Sequence, residues 1–84
     1  MDVEFPELTK DEQEIVLFLD TCDGFDPYLR DIQKNCPVDN AESVLRGLIK
    51  MKIAKRYRAW HRGHKVSDPM YFLTGKGKEA VEWI

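Results

Sequence analysis

The apolar positions of the chain fall first into a helical rhythm. Ile15, Phe18, Leu19 and Cys22 recur at three-, four- and seven-residue spacing, which predicts a helix with one buried face. Thr9-Lys10-Asp11-Glu12 ahead of them has the form of a capping box, the threonine serving the new N–H groups and the glutamate reaching back. Asp23-Gly24 predicts the stop. A second start is expected at Asp26-Pro27, with aspartate at the cap and proline in the first turn, where its missing N–H is not needed. That short helix runs to about Asn35 with Leu29, Ile32 and Cys36 inward, and Pro37 ends it. Asp39, with Glu42 three residues on, predicts a capped third helix from about Asn40 to Met51. Its inner face is Ala41, Val44, Leu45, Leu48 and Ile49. Its outer face is Asn40, Glu42, Ser43, Arg46, Gly47 and Lys50.

The period then changes from 3.6 to 2. Ile53 to Trp60 sets β-favouring residues among basic ones and predicts a strand, with Arg56 and Arg58 on one face and Lys55 and Tyr57 on the other. A polar loop from His61 to Asp68 and a returning strand, Pro69 to Leu73, complete a hairpin. Thr74 caps a last helix, Gly75 to Ile84, whose Ala80, Val81 and Ile84 can pack back on the first. The expected class is mainly α with a small β-hairpin. No repeat, linker or low-complexity tract divides the chain, so residues 1–84 read as one domain with its core in about 9–84.

Charge changes the picture. The net value of −2 speaks against a nucleic-acid partner, but its distribution does not. Residues 1–42 hold 12 acidic and 3 basic side chains. Residues 43–67 hold Arg46, Lys50, Lys52, Lys55, Arg56, Arg58, Arg62 and Lys65 and no acid. The remainder carries three acids and two lysines. A block of one sign makes a local field that the net charge conceals. It falls on the one helix and hairpin that can enter a groove, while the acidic block falls on the first two helices and disfavours other docking faces.

Two stretches resemble winged helix-turn-helix regulators. Tyr71-Phe72-Leu73-Thr74-Gly75-Lys76-Gly77 is similar to the strand-to-helix junction of MarR-like and PadR-like proteins, Tyr-x-Leu-Thr-x-x-Gly. Leu45 to Ala54 is similar to the end of their recognition helix running into the wing. Those families usually place glycine after that helix, where the chain turns left-handed. Lys52 stands there in this chain, at a cost of about 1 kcal/mol. The resemblance covers about residues 9 to 84 and implies a three-helix core, a two-stranded wing and a C-terminal helix. It also implies double-stranded DNA as the partner, with the third helix in the major groove and the wing on the backbone toward the minor groove. Arg46 is then the base reader, because a guanidinium meets two acceptors of guanine. Asn40 and Ser43 contact bases or phosphates, and Lys50, Lys55, Arg56, Arg58, Arg62 and Lys65 mainly neutralise phosphates. A homodimer is expected, since one such domain covers a half-site. The N-terminal segment and Trp83-Ile84 lie where similar domains pair.

Other classes find little in the residues. The longest apolar run, Ile15 to Leu19, is five residues, against the roughly 20 of a membrane span, and the start lacks a secretory pattern. The expected place is therefore the cytoplasm, at the nucleoid, or the host cytoplasm for a viral regulator. Cys22 and Cys36 read as two free buried thiols. A bridge between them, worth about 3 kcal/mol, would fit a hyperthermophile or its virus. His61 and His64 lack cysteines at zinc spacing, and Trp60 is expected at the hairpin base or a dimer contact. No phosphate-cradling loop, paired carboxylate frame or Cys–His arrangement supports catalysis, and neither a cofactor nor a small-molecule effector is expected. The competing reading is a winged helix used as a protein-interaction module through its basic or acidic face. RNA binding is a weaker third, resting on Tyr57, Trp60 and Phe72.

Overall fold

A computed structural model describes residues 7–22, 24–58, 60–61, 63–65 and 69–84, with backbone alone for 60, 61, 64 and 65. Four helices frame a hairpin: α1 (Lys10–Thr21), α2 (Leu29–Asn35), α3 (Ala41–Lys50), β1 (Ala54–Tyr57), β2 (Trp60–His61), β3 (His64–Lys65), β4 (Met70–Leu73) and α4 (Gly75–Val81).

The capping box opens α1 as its residues predict. The Glu12 N–H donates to Thr9 Oγ1 at 3.2 Å, and the Thr9 N–H to Glu12 Oε1 at 2.8 Å. From there Ile15, Val16 and Leu19 enter a core completed by Ile32, Cys36, Ala41, Leu45, Leu48, Ile53, Ala54, Tyr71 and Leu73. Phe18, expected inside, is only partly buried, and Val16 takes the interior place beside Ile15. Cys22 and Cys36 are both buried free thiols. Burial is the leading reason that both hold their protons above the ordinary thiol value.

Two helix starts differ from expectation. Pro27 and Tyr28 do not begin α2, because the open edge of β4 claims them. The Tyr71 N–H donates to the Pro27 carbonyl at 3.0 Å, the Leu29 N–H to the Pro69 carbonyl at 3.3 Å, and Tyr28 bridges Met70. Edge backbone groups need partners, and this extended pair supplies them. Helix α2 therefore begins two residues late, with Asp31 Oδ2 accepting the Tyr28 N–H at 3.1 Å. Nor does Asp39 cap α3. Asn40 holds that place in the left-handed region, φ 57°, which asparagine tolerates better than most residues. Its carbonyl starts the helix by accepting from the Ser43 and Val44 N–H groups, and its side chain caps nothing.

Strands β1 and β4 pair antiparallel with Ala54 opposite Leu73 and Arg56 opposite Tyr71. Beyond them the expected polar loop contains a second short ladder, Trp60 opposite Lys65 and His61 opposite His64, turning through Gly63 at φ 80°. Helix α4 stops at Val81, three residues short of the expected end.

Candidate nucleic-acid interface

The inner face of α3 fixes which residues look out. Ala41, Leu45 and Leu48 are buried, flanked by half-buried Val44 and Ile49, so Ser43, Arg46 and Lys50 face solvent. Helical geometry puts Ser43 and Lys50 on one row, two turns apart, with Arg46 on one flank and Gly47 on the other. Asn40 is exposed at the head of this face.

The helix ends in a left-handed turn built without glycine. Lys52 has φ 64°. Its N–H donates to the Ile49 carbonyl at 2.9 Å, and the Ile53 N–H to the Leu48 carbonyl at 2.9 Å, the paired bonds of a Schellman motif. Buried Ile53 and Leu48 provide its apolar contact. Lys52 thus accepts the backbone strain that a glycine would avoid, and its exposed ammonium joins the basic face beside the helix C-terminus.

This turn is held by the junction on the other side of the hairpin. The Thr74 hydroxyl donates to the Lys52 carbonyl at 2.6 Å and lies 3.1 Å from that of Ile53. It also accepts the Gly77 N–H at 3.1 Å, and the Thr74 N–H donates to the Ile53 carbonyl at 3.0 Å. Gly77 packs so closely there that a Cβ would overlap the Ile53 carbonyl oxygen. Each residue of Tyr71-x-Leu73-Thr74-x-x-Gly77 therefore has a physical task. Tyr71 and Leu73 fill the core, Thr74 seats the turn, and Gly77 lets α4 close on it.

The root of the hairpin has a second anchor. The Tyr57 hydroxyl donates to Asp26 Oδ2 at 2.6 Å, and the Tyr57 ring meets that of Phe72 edge-on at 5.7 Å. The hydrogen bond to that carboxylate, foremost, raises the tyrosine above its ordinary value. Sequence reading gave Asp26 to a helix cap instead, and no local signal ties it to a residue 31 positions away.

Among the expected DNA-contacting residues, Asn40, Ser43, Arg46, Lys50, Lys55, Arg56 and Arg58 are all exposed. Ser43, Arg46 and Lys50 gather on one helix face. The wing does not gather its charges in the same way: strand alternation sets Lys55 and Arg56 on opposite faces of β1. Arg62 lies outside the described residues, as does the side chain of Lys65. Glu42, expected to serve the cap or to read cytosine, accepts from Arg46 Nη2 at 3.0 Å and makes no cap bond. Acidic Asp11, Glu14 and Asp20 are exposed on α1, which packs against α3 through its buried side.

No groove was expected, but one of about 630 Å³ opens between the end of α1, the α1–α2 connection, β4 and α4. Leu19, Phe25, Asp26, Tyr71, Phe72 and Lys78 line it, and no residue of α3 does. No described helix is long and apolar enough to cross a membrane. Among the described residues no three His, Cys, Asp or Glu side chains gather as a metal site would require.

No protein-family model matches the chain, and no curated protein does. Two solved structures are similar. A mutant of MepR from a multidrug resistant S. aureus clinical isolate superposes with TM-score 0.79 at 20% identity over 90% of this chain. The smu.1704 protein of Streptococcus mutans superposes with TM-score 0.66 at 20% identity over 86% of this chain. The chain spans about half of the MepR structure, 54%, and 69% of the other. With four helices, the β1–β4 hairpin and this likeness, the chain has the winged-helix fold.

Proposed function

We propose that residues 1–84 form one DNA-binding domain of a transcription regulator, without catalytic activity, that acts as a homodimer in the cytoplasm. Helix α3 enters the major groove and the hairpin rests on the phosphate backbone. The carrying observation is the basic block: Arg46, Lys50, Lys52, Lys55, Arg56 and Arg58 are all exposed on α3, its terminal turn or the hairpin, in a stretch, 43–67, without a single acid. Structural similarity to MarR-family regulators supports the same reading. Arg46 reads guanine, Asn40 and Ser43 meet bases or phosphates, and Lys50, Lys55, Arg56, Arg58, Arg62 and Lys65 neutralise phosphates. Trp83 and Ile84, exposed after α4, are the surface offered to a second copy.

The test is a duplex titration at several salt concentrations, which is expected to give a log–log slope of about −3 to −6 per monomer, near 0.9 for each phosphate neutralised. Arg56→Glu with Arg58→Glu weakens binding to every sequence, whereas Arg46→Ala flattens sequence preference. A wild-type protein that binds no duplex at low salt overturns the reading and leaves the basic face to an acidic protein partner.

A further inference from the structure

We infer that Glu42 is a positioning residue for Arg46, and that the two together form a specificity device for a guanine-containing half-site. This inference rests on the DNA-binding reading above. A carboxylate on a face that must approach phosphates is electrostatically unfavourable. The residues alone offer a harmless explanation, service to the helix cap, and the structure removes it. The residue before α3 is Asn40, no capping box forms there, and the Glu42 carboxylate turns instead along the helix to Arg46 Nη2, 3.0 Å away. The two side chains keep 48% and 70% of their exposure, so neither is held by core packing.

As an exposed ion pair one turn apart, this contact stabilises α3 by only about 0.3–0.5 kcal/mol. Its larger consequence is for recognition. A free arginine side chain loses roughly 2 kcal/mol of rotamer freedom when fixed on a base, and a partner that fixes it beforehand lowers that loss. One N–H of the guanidinium goes to Glu42, and four remain to meet the O6 and N7 acceptors of guanine. The same carboxylate repels phosphates wherever Arg46 finds no guanine, which lowers affinity for wrong sequences. Glu42 therefore acts on discrimination in two ways.

The experiment selects bound duplexes from a pool randomised at its centre, using wild type, Glu42→Gln, Arg46→Ala and the double variant, with helicity checked for each. In Glu42→Gln the preference for guanine at the Arg46 position is expected to fall about tenfold, the scale of one bidentate contact. Affinity for non-cognate duplex is expected to rise. The double variant should discriminate no worse than Arg46→Ala alone, because the glutamate acts through the arginine. A purely structural role for Glu42 would alter helix stability and leave base preference as it was. Unchanged preference in Glu42→Gln, or additive losses in the double variant, overturns the inference while the DNA reading stands. Failure of the wild type to bind any duplex overturns both.

Discussion

Gly77 and Gly47 both lie inside helices, and the molecule treats them oppositely. At Gly77 a single added carbon would overlap the Ile53 carbonyl oxygen and press on Leu73 at 3.0 Å. At Gly47 the same carbon would meet only the Glu12 carboxylate at 3.9 Å, an ordinary contact. Glycine in a helix interior costs about 1 kcal/mol against alanine. The fold explains that cost at Gly77 and does not explain it at Gly47. At the junction of β4 and α4, Thr74 and Gly77 thus close on backbone groups of the same chain. The outward face of α3 carries a glycine its own packing does not demand, beside an arginine paired with an exposed glutamate. One region is complete in itself. The other is not.

The largest test of the closed region is Gly77→Ala. Overlap with backbone cannot be relieved by a rotamer change, so the variant should lose about 3 kcal/mol, read by urea unfolding. Retention of wild-type stability would mean that α4 can shift away from Ile53, and the contrast with Gly47 would disappear. Next in size is Lys52→Gly, which removes the left-handed strain at φ 64° and should gain about 0.5–1 kcal/mol. Both substitutions act on the same turn, in opposite directions.

Gly47→Ala probes the open region and separates stability from function. The fold should gain about 0.5–1 kcal/mol from helix propensity. Duplex affinity should fall about three- to tenfold, roughly 1 kcal/mol, as the methyl holds the DNA backbone away. A variant that gains stability and binds as well as wild type would show that Gly47 has no part in docking.

The two regions also differ in how far the residues alone disclosed them. The capping box of α1 and the Thr74 cap were legible because their partners lie within three positions. The left-handed turn at Lys52 and the need for Gly77 were legible through a motif whose spacing reflects one close approach. What escaped was competition at a distance. Pro27 and Tyr28 carry a sound helix-start signal, yet β4 takes their backbone groups. Asp26 looks like a cap and serves Tyr57 instead. On the basic face the charges were countable, but strand alternation divides Lys55 from Arg56, and Glu42 had two possible partners on one helix. Local chemistry nominates a partner, and tertiary structure chooses among the nominees.

The smallest expected effect is the alkaline limit of the closed region. The core of the fold buries two thiols, Cys22 and Cys36, both pushed above the ordinary thiol value of 9.0, chiefly by burial. A group with a raised native pKa supports the fold fully below its unfolded value and loses that support as pH climbs through the native one. Stability should therefore be flat up to about pH 9 and decline above it, as unfolded chains release thiol protons that the native core retains. Tyr57 adds a decline of the same sign from its own ordinary value of 10.0, because the hydrogen bond to Asp26 exists only while the phenol keeps its proton. The two contributions separate by substitution. Cys22→Ala with Cys36→Ala should flatten the first part of the decline, and Tyr57→Phe the second, each followed by melting temperature against pH. None of the three groups, Cys22, Cys36 or Tyr57, belongs to α3, so duplex affinity measured well under the melting point should hold steady while stability falls. A parallel fall of the two would mean that the thiol-lined core and the outward face of α3 respond as one unit, and the division between the two regions would fail.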